Sequence, residues 1–169
     1  GALLPGSLLA HCVHLSDGEL AQLEDAGVWV AHQPRSNMNN AVGYARPARF
    51  ANPVALGSDG IGADMLDEFR LAYVRHREDD VTASPEVAWG WLATGWDLFP
   101  EARSDRVTWS YADMDPWCLA FTTGVGPLTV EVDGELVLVD GRPTRVDPDE
   151  IRARAAEEAV LLHRRIADA

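Results

Sequence analysis

The chain has 169 residues, of which 47% are hydrophobic and 24% charged, a composition typical of about one globular domain and too apolar for a disordered chain. Its 27 acidic and 14 basic residues give a formal net charge of −13, which argues against nucleic acid or an anionic membrane as a partner. No apolar run approaches the roughly 20 residues of a membrane-spanning helix. Cys12 and Cys118 lie far apart without metal-site spacing, so we expect reduced thiols and a cytoplasmic protein.

The first half of the sequence alternates short apolar strands with helices. Ser16 and Glu19 form a capping-box pattern that begins a helix, and Gly27 ends it. Such apolar strands are typical of a parallel sheet covered by helices, an α/β fold. The predicted strands are residues 7–13, 28–32 and 53–57. A polar loop, with or without one helical turn, covers 35–50. A second helix covers 64–77, with an apolar face of Met65, Phe69, Leu71, Ala72 and Val74.

A polar side chain stands at the carboxyl end of each predicted strand. His11 and His14 are at the end of the first strand, His32 ends the second, and Asp59 follows the third within the motif GSDG. In (β/α)8 barrels and in doubly wound sheets alike, ligands bind where parallel strands end. The sequence therefore predicts a site at this edge of the sheet and leaves both folds open.

The second half of the sequence reads differently. Residues 86–99 are rich in Trp and predict a helix or a pair of turns, and residues 106–111 predict a strand. Within residues 128–141, two strands of alternating polarity flank Asp133-Gly134, a dipeptide suited to a tight hairpin turn. Residues 149–167 predict a charged helix.

Each candidate site residue also has a simpler structural interpretation. Asp59 could serve only the Gly-rich turn, since Asp is a favoured turn residue. A single His at a strand end, such as His11, is more often a hydrogen-bonded structural residue than a ligand. His32 is expected to anchor the loop that follows it, whereas His14 is open between the pocket and solvent. The remaining histidines, His76 and His163, fall on charged helices and are predicted to be exposed.

Three motifs in fixed order carry a resemblance to a known family. They are AHC, HxPxSN and GSDG, in the segments LLAHCVHLSDGELAQLEDAGVWVAHQPRSNMN and VALGSDG. Together they resemble the amidohydrolase superfamily, in the branch of guanine deaminase, the chlorotriazine hydrolases and the adenosine-type deaminases. The run HQPRSNMNNAVG with DGIGADMLDEF is most similar to SsnA-type aminohydrolases. The segment VDGELVLVDGRPTRVDPDEI resembles strands of the small β-sandwich that accompanies the barrel.

The resemblance implies a metal-dependent (β/α)8 barrel that uses zinc or iron to hydrolyse C–N bonds of heterocyclic amines, by attack of a metal hydroxide on an sp2 ring carbon. The three predicted strands resemble the sixth, seventh and eighth of the barrel. We therefore expect a partial barrel in residues 1–105 and part of the β-sandwich, with a terminal helix, in residues 106–169.

The same resemblance implies roles for individual residues. Asp59 matches the aspartate that binds the metal and takes a proton from the attacking water, and His11 matches a histidine beside that water. His32, Ser36 and Asn37 belong to the HxPxSN segment, for which a structural or substrate-lining role is implied; we take them, with His14, as candidate substrate-binding residues.

The sequence departs from the family pattern in one respect. The first-strand HxH, the fifth-strand histidine and the catalytic glutamate are absent, so we expect the chain to begin in mid-barrel. Expected partners are a small heterocyclic substrate and either the missing part of the barrel or a second copy. Two other functions stay open: an inactive fragment or half of a split barrel, and a non-catalytic αβ binding module.

Overall fold

The structure, a computed structural model, describes residues 3–168. Their contacts divide the chain into two units, one of Gly1–Glu101 with Asp113–Thr123 and the other of Ala102–Ala112 with Gly124–Ala169. The predicted boundary after residue 105 stays a prediction of domain organisation. Every helix within residues 3–168 is too short or too polar to cross a lipid bilayer.

The first unit contains a parallel sheet in the order β1-β2-β3, which confirms the α/β prediction. Val30 of the central strand pairs with Leu9 on one side and Val54 on the other, and its side chain is fully buried. The elements of this unit are β1 (Leu8–Ala10), α1 (Asp17–Ala26), β2 (Trp29–His32), α2 (Pro34–Asn39), β3 (Val54–Leu56), α3 (Met65–Asp79), α4 (Pro85–Ala93), α5 (Gly95–Leu98) and α6 (Pro116–Leu119), with a 3-10 turn at Pro47–Arg49.

The ends of α1 follow the predicted capping residues. The backbone N–H of Glu19 donates to Ser16 Oγ at 3.4 Å, and Glu19 Oε2 accepts from the Ser16 backbone N–H at 2.8 Å. Gly27 ends the helix in the left-handed conformation, with φ of 62°. Both ends of α1 are therefore set by local sequence.

Strand β1 is shorter and more exposed than the predicted buried strand of residues 7–13. It ends at Ala10 because His11 and Cys12 adopt positive φ angles, which extended backbone cannot accommodate. Within the described residues β1 pairs on one side only, so Leu8 remains 47% exposed. The apolar sequence indicated the strand but not its position at a sheet edge.

The buried face of α3 differs from the predicted one. Phe69 and Ala72 are buried as predicted, but Val74 is exposed, and the prediction that His76 is exposed was wrong. His76 packs its ring 5.2 Å from that of Trp91 on α4. Apolar character alone misplaced the face because polar side chains with suitable neighbours also occupy it. Its buried residues are Leu66, Glu68, Phe69, Ala72, Tyr73 and His76.

The second unit is an antiparallel sheet of four strands followed by a helix. The predicted hairpin is confirmed, and Asp133 and Gly134 have the two positive φ angles, 51° and 79°, that a type I′ turn requires. The helix begins after Asp147, whose side chain accepts from the Asp149 backbone N–H, and its charged sequence leaves His163 exposed as predicted. The elements are β4 (Arg106–Trp109), β5 (Pro127–Val132), β6 (Glu135–Val139), β7 (Arg142–Pro143) and α7 (Pro148–Ala167).

One buried amide joins α1 to the start of β2. The Asn52 Nδ2 group donates to the carbonyls of Leu23 at 2.8 Å and Val28 at 3.0 Å. The Leu23 carbonyl lies in the last turn of α1, where helical carbonyls have no partner within the helix. Asn52→Ala would leave both carbonyls without this donor, and we expect it to lower the free energy of unfolding by about 1–3 kcal/mol.

Urea unfolding followed by circular dichroism measures this loss. Gln22→Ala, at an exposed position of α1, is the matched control and should unfold like the parent chain. Equal midpoints for Asn52→Ala and the parent chain would contradict the structural role of Asn52.

Candidate active site

His11 and Asp59 meet at the carboxyl edge of the parallel sheet. His11 directly follows β1, and Asp59 follows β3 after two intervening residues beyond Leu56. The Nε2 atom of His11 lies 3.7 Å from Oδ2 of Asp59, and each side chain is partly exposed. The structure thus brings together the two residues predicted to be catalytic, while their catalytic role stays a prediction.

Both residues have unusual backbone conformations in the segments that follow their strands. His11 has φ of 65° and Asp59 has φ of 52°, within the left-handed region that few non-glycine residues adopt. The His11 backbone N–H is held by the Ala31 carbonyl and by Gln33 Oε1, both at 2.9 Å. Such conformations persist where the surrounding structure enforces them, and they cluster at functional sites.

A buried hydroxyl holds the carboxylate. Ser36 Oγ donates to Asp59 Oδ2 at 2.5 Å and accepts from Asn40 Nδ2 at 3.3 Å. Because Asn40 occupies Ser36 as an acceptor, the Ser36 proton is directed to Asp59. This leaves Oδ1 of Asp59 without a hydrogen-bond partner among the residues described, so that it can accept a proton or bind a cation.

A buried carboxamide holds the imidazole. Oδ1 of Asn37 lies 2.8 Å from Nδ1 of His11. A carboxamide oxygen only accepts hydrogen bonds, so Nδ1 carries a proton. In the neutral ring Nε2 is then the unprotonated nitrogen, and it is the nitrogen that lies nearer Asp59.

These groups line a cleft of about 320 Å³. The structure places His14 on this cleft, with its residue exposed, so the geometry agrees with the pocket-facing alternative for His14. Ser36 is not part of the lining but is hydrogen-bonded to two lining residues, Asp59 and Asn40. The complete lining is His11, Val13, His14, Asn37, Asn40, Val42 and Asp59.

His32 lies in the core and not on the cleft. The residue is 1% exposed, and its ring makes edge contacts with Tyr44 and Trp91. Neither ring nitrogen has a hydrogen-bond partner within residues 3–168. Burial lowers the pKa of His32 to about 4, with positive charge on His11 and His76 acting in the same direction. The structure therefore agrees with the structural alternative for His32 and gives no support to a substrate-binding role.

Sequence reasoning missed several residues of this site. Gln33 holds the backbone of His11, and Val13 and Val42 form apolar walls of the cleft. Glu68, fully buried on α3, accepts hydrogen bonds from Arg35, the residue before Ser36. The position of Gln33 immediately after a strand was an available signal, whereas nothing in the sequence marks the valines or Glu68.

The side chains that line the cleft include some, but not all, of the ligands that a zinc or iron ion needs. A carboxylate oxygen and an imidazole nitrogen are both ligands that these metals accept. Among residues 3–168, however, no group of three or more His, Cys, Asp or Glu side chains is arranged to hold a metal ion. Asp59, with its free Oδ1, fits as one ligand of a metal shell to which the described residues do not contribute a full set.

Comparison with known proteins identifies deaminases as relatives, although no family model matches the chain. A 5-methylthioadenosine/S-adenosylhomocysteine deaminase of Syntrophomonas wolfei is 29% identical over 181 residues, covering 90% of this chain and 42% of that protein. A 5'-deoxyadenosine deaminase of Methanococcoides burtonii is 41% identical over 90 residues, covering 48% of this chain and 21% of that protein. The chain thus spans at most about two-fifths of the length of these relatives.

Solved structures show the same fold. An adenosine deaminase from Xanthomonas campestris with bound zinc matches with a TM-score of 0.72 and 20% identity, over 89% of this chain and 41% of that one. An amidohydrolase from a Sargasso Sea sample matches with a TM-score of 0.73 and 23% identity, over 96% of this chain and 44% of that one. The resemblance to the amidohydrolase superfamily is confirmed. The similarity covers a C-terminal part of these proteins, about two-fifths of their length.

The buried ring of His32 predicts a pH dependence of stability for this amidohydrolase-like chain. An unfolded His binds its proton near pH 6.5, whereas folded His32 binds one only near pH 4. The folded state therefore has its full stability above about pH 6.5 and loses about 3 kcal/mol of it as the pH falls to about 4. His32→Phe should lack this loss, because Phe cannot take up a proton.

Urea unfolding at a series of pH values measures the difference between parent and variant. His163→Phe, on an exposed face of α7, is the matched control and should keep the pH dependence of the parent chain. A His32→Phe variant that loses stability between pH 6.5 and pH 4 as steeply as the parent would contradict the assignment.

Proposed function

We propose that the chain forms the His11–Asp59 side of the active site of a metal-dependent amidohydrolase that deaminates a purine-type heterocycle. The observation that carries this proposal is the approach of His11 Nε2 to within 3.7 Å of Asp59 Oδ2 at the carboxyl edge of a parallel sheet. In this proposal β1, β2 and β3 are the sixth, seventh and eighth strands of a (β/α)8 barrel, whose active site lies at that edge.

The cleft supports a flat, uncharged substrate. Its walls combine Val13 and Val42 with amide and imidazole groups, and no Arg is among the residues of 3–168 that line it. A phosphate or carboxylate ligand would be expected to meet a cation. A heterocycle can instead lie against the valines and use its ring nitrogens and amino group for hydrogen bonds. The names of the relatives, both deaminases of adenosine-type compounds, favour an adenosine-type nucleoside.

The chemistry assigned to Asp59 is that of a general base and then a general acid. As water attacks the ring carbon that bears the amino group, a C–O bond forms and the carboxylate takes up a proton of the water. The proton is then delivered to the amino nitrogen, the C–N bond breaks, and ammonia leaves. The Ser36 hydroxyl, bound to Oδ2, orients the carboxylate and leaves Oδ1 for this transfer.

His11 positions the attacking water. With Nδ1 directed to Asn37, its Nε2 can accept a hydrogen bond from water beside Asp59. Asp59 and His11 Nε2 would then both accept hydrogen bonds from the attacking water. Two acceptors fix the direction in which the lone pair of the water oxygen points, so His11 contributes to catalysis by orienting the nucleophile. Asn37 thereby selects the tautomer of His11, as partners of catalytic imidazoles commonly do.

A divalent metal ion, zinc as in the Xanthomonas campestris structure or iron, would be held by Asp59 together with ligands beyond the described residues. Such an ion lowers the pKa of a coordinated water to about 7, which supplies a nucleophile at neutral pH. In this proposal the chain contributes one ligand to the metal ion, the carboxylate of Asp59, which Ser36 orients.

Asp59→Asn tests the proposal in the protein that carries this chain. The amide keeps the shape of the side chain but loses the charge and the basicity, so we expect kcat for deamination of 5'-deoxyadenosine to fall at least about 10²- to 10⁴-fold. Asp25→Asn, an exposed carboxylate on α1, is the matched control. Ammonia release by Asp59→Asn at the control rate, with an unchanged circular dichroism spectrum, would refute the role of Asp59.

The metal content of the 169-residue chain provides a second test. A catalytic zinc site has about three protein ligands, whereas the carboxylate of Asp59 and the imidazoles of His11 and His14 that line the cleft are not arranged as a metal-binding group. Water would have to fill most of the shell, so we expect less than one equivalent of zinc or iron after dialysis against buffer. Elemental analysis measures this. Stoichiometric metal that Asp59→Asn removes would show that these residues complete the shell themselves.

A further inference from the structure

Glu68 is a buried carboxylate that no catalytic step above uses. Its side chain has no exposed surface, although it lies on a helix with many charged residues. Oε1 of Glu68 accepts from Arg35 Nε at 2.6 Å, and Oε2 accepts from the Arg35 backbone N–H at 3.3 Å. Burial of a charge is costly unless it is paired and hydrogen-bonded, and both oxygens of Glu68 are satisfied by one residue.

This contact replaces the missing cap of α2. Gln33 is the residue at the cap position, but its side chain makes no capping hydrogen bond and accepts instead from the His11 backbone N–H. The Arg35 N–H belongs to the first turn of α2, where backbone donors need partners outside the helix. Glu68, from α3, supplies that partner, so the start of α2 is held by another helix and not by its own sequence.

The two residues that follow Arg35 contact the two proposed catalytic side chains. Ser36 donates to Asp59, and Asn37 accepts from His11. Both are buried on α2, so their polar atoms move with that helix. The Arg35 guanidinium also packs against the loop that carries Asp59, because a Cβ added at Gly62 would lie 3.3 Å from Arg35 Nε.

We propose that Glu68 is a positioning residue of the site: through Arg35 it fixes α2, so that Ser36 and Asn37 hold Asp59 and His11 in their working orientations. This deepens the proposed function, on which the catalytic part of the inference rests. The structural part, a dependence of the His11 ring on Glu68, can be measured without any activity.

Glu68→Gln is the direct test. A carboxamide accepts through one oxygen only and turns an N–H group toward the second Arg35 donor, so one of the two contacts is lost. In the 169-residue chain labelled with 15N-histidine, at about pH 8 where histidines are neutral, we expect His11 to be the Nδ1–H tautomer. In Glu68→Gln we expect a smaller fraction of His11 in the Nδ1–H tautomer and a larger fraction in the Nε2–H tautomer.

Hydrogen exchange gives an independent measure of α2. The backbone amide of Asn37 donates to the carbonyl of Gln33 at the start of α2, and that of Asn40 donates to the carbonyl of Ser36 at its end. In Glu68→Gln we expect them to exchange at least about tenfold faster, the size of effect that loss of one charge-assisted hydrogen bond produces. Glu78→Gln is the matched control, because Glu78 lies on the same helix and its ion pair with Arg75 is exposed. It should leave both measurements unchanged.

A second variant tests the same contact in case Glu68→Gln does not fold. Arg35→Lys keeps a cation beside Glu68 but loses the planar Nε donor, and it should shift the His11 tautomer in the same direction. A folded variant of either kind with the parent tautomer and parent exchange rates overturns the proposal. Loss of the fold in both variants also overturns it, because the pair would then support the whole unit and not α2 in particular.

The catalytic part is tested in the protein that carries this chain. With 5'-deoxyadenosine as the probe substrate, Glu68→Gln should lower kcat about 10- to 100-fold and leave KM nearly unchanged, as loss of a supporting contact commonly does. An unchanged kcat overturns the catalytic part. If the parent protein releases no ammonia at all, the proposed function fails, while the His11 tautomer still decides whether Glu68 positions the site.

Discussion

Parallel pairing of β2 with β1 on one side and β3 on the other is the constraint on which the site depends. Parallel strands end at the same edge, so residues that follow β1 and β3 emerge together although they are distant in sequence. His11 and Asp59 come within 3.7 Å of each other for this reason. The left-handed backbone at His11 ends β1, Asp59 adopts the same conformation three residues beyond the end of β3, and both residues line the cleft.

Several energetically unfavourable features lie near this edge of the sheet. They include two left-handed residues, the buried charge of Glu68 and the buried ring of His32, whose nitrogens have no partner in the part of the chain described. Each of these would be expected to reduce stability by itself. Natural proteins depart from the rules of stable packing chiefly at functional sites, so the concentration of such features here agrees with the site assignment.

Much of the architecture was predictable because its signals are local. Ser16, Glu19 and Gly27 determine the ends of α1 through contacts within a few residues, and Asp133-Gly134 determines a hairpin through its own backbone preferences. The buried face of α3 was predicted poorly because it includes Glu68 and His76. Glu68 is buried against Arg35 and His76 against Trp91, and sequence spacing does not identify such partners.

By itself, the sequence determined the order of elements, the α/β class and the strand-end positions of His11 and Asp59, because each of these depends on residues that are close together in the chain. It also determined the resemblance to the amidohydrolases, because that depends on motifs in a fixed order. Only the tertiary structure decided which polar residues serve the cleft. It placed His14 on the cleft and His32 in the core, and it joined Ser36 to Asp59 and Asn37 to His11 through α2. The reason is that hydrogen bonds and burial depend on the packing of α2 and α3 against the sheet, and this packing is set by contacts between residues that are remote in sequence.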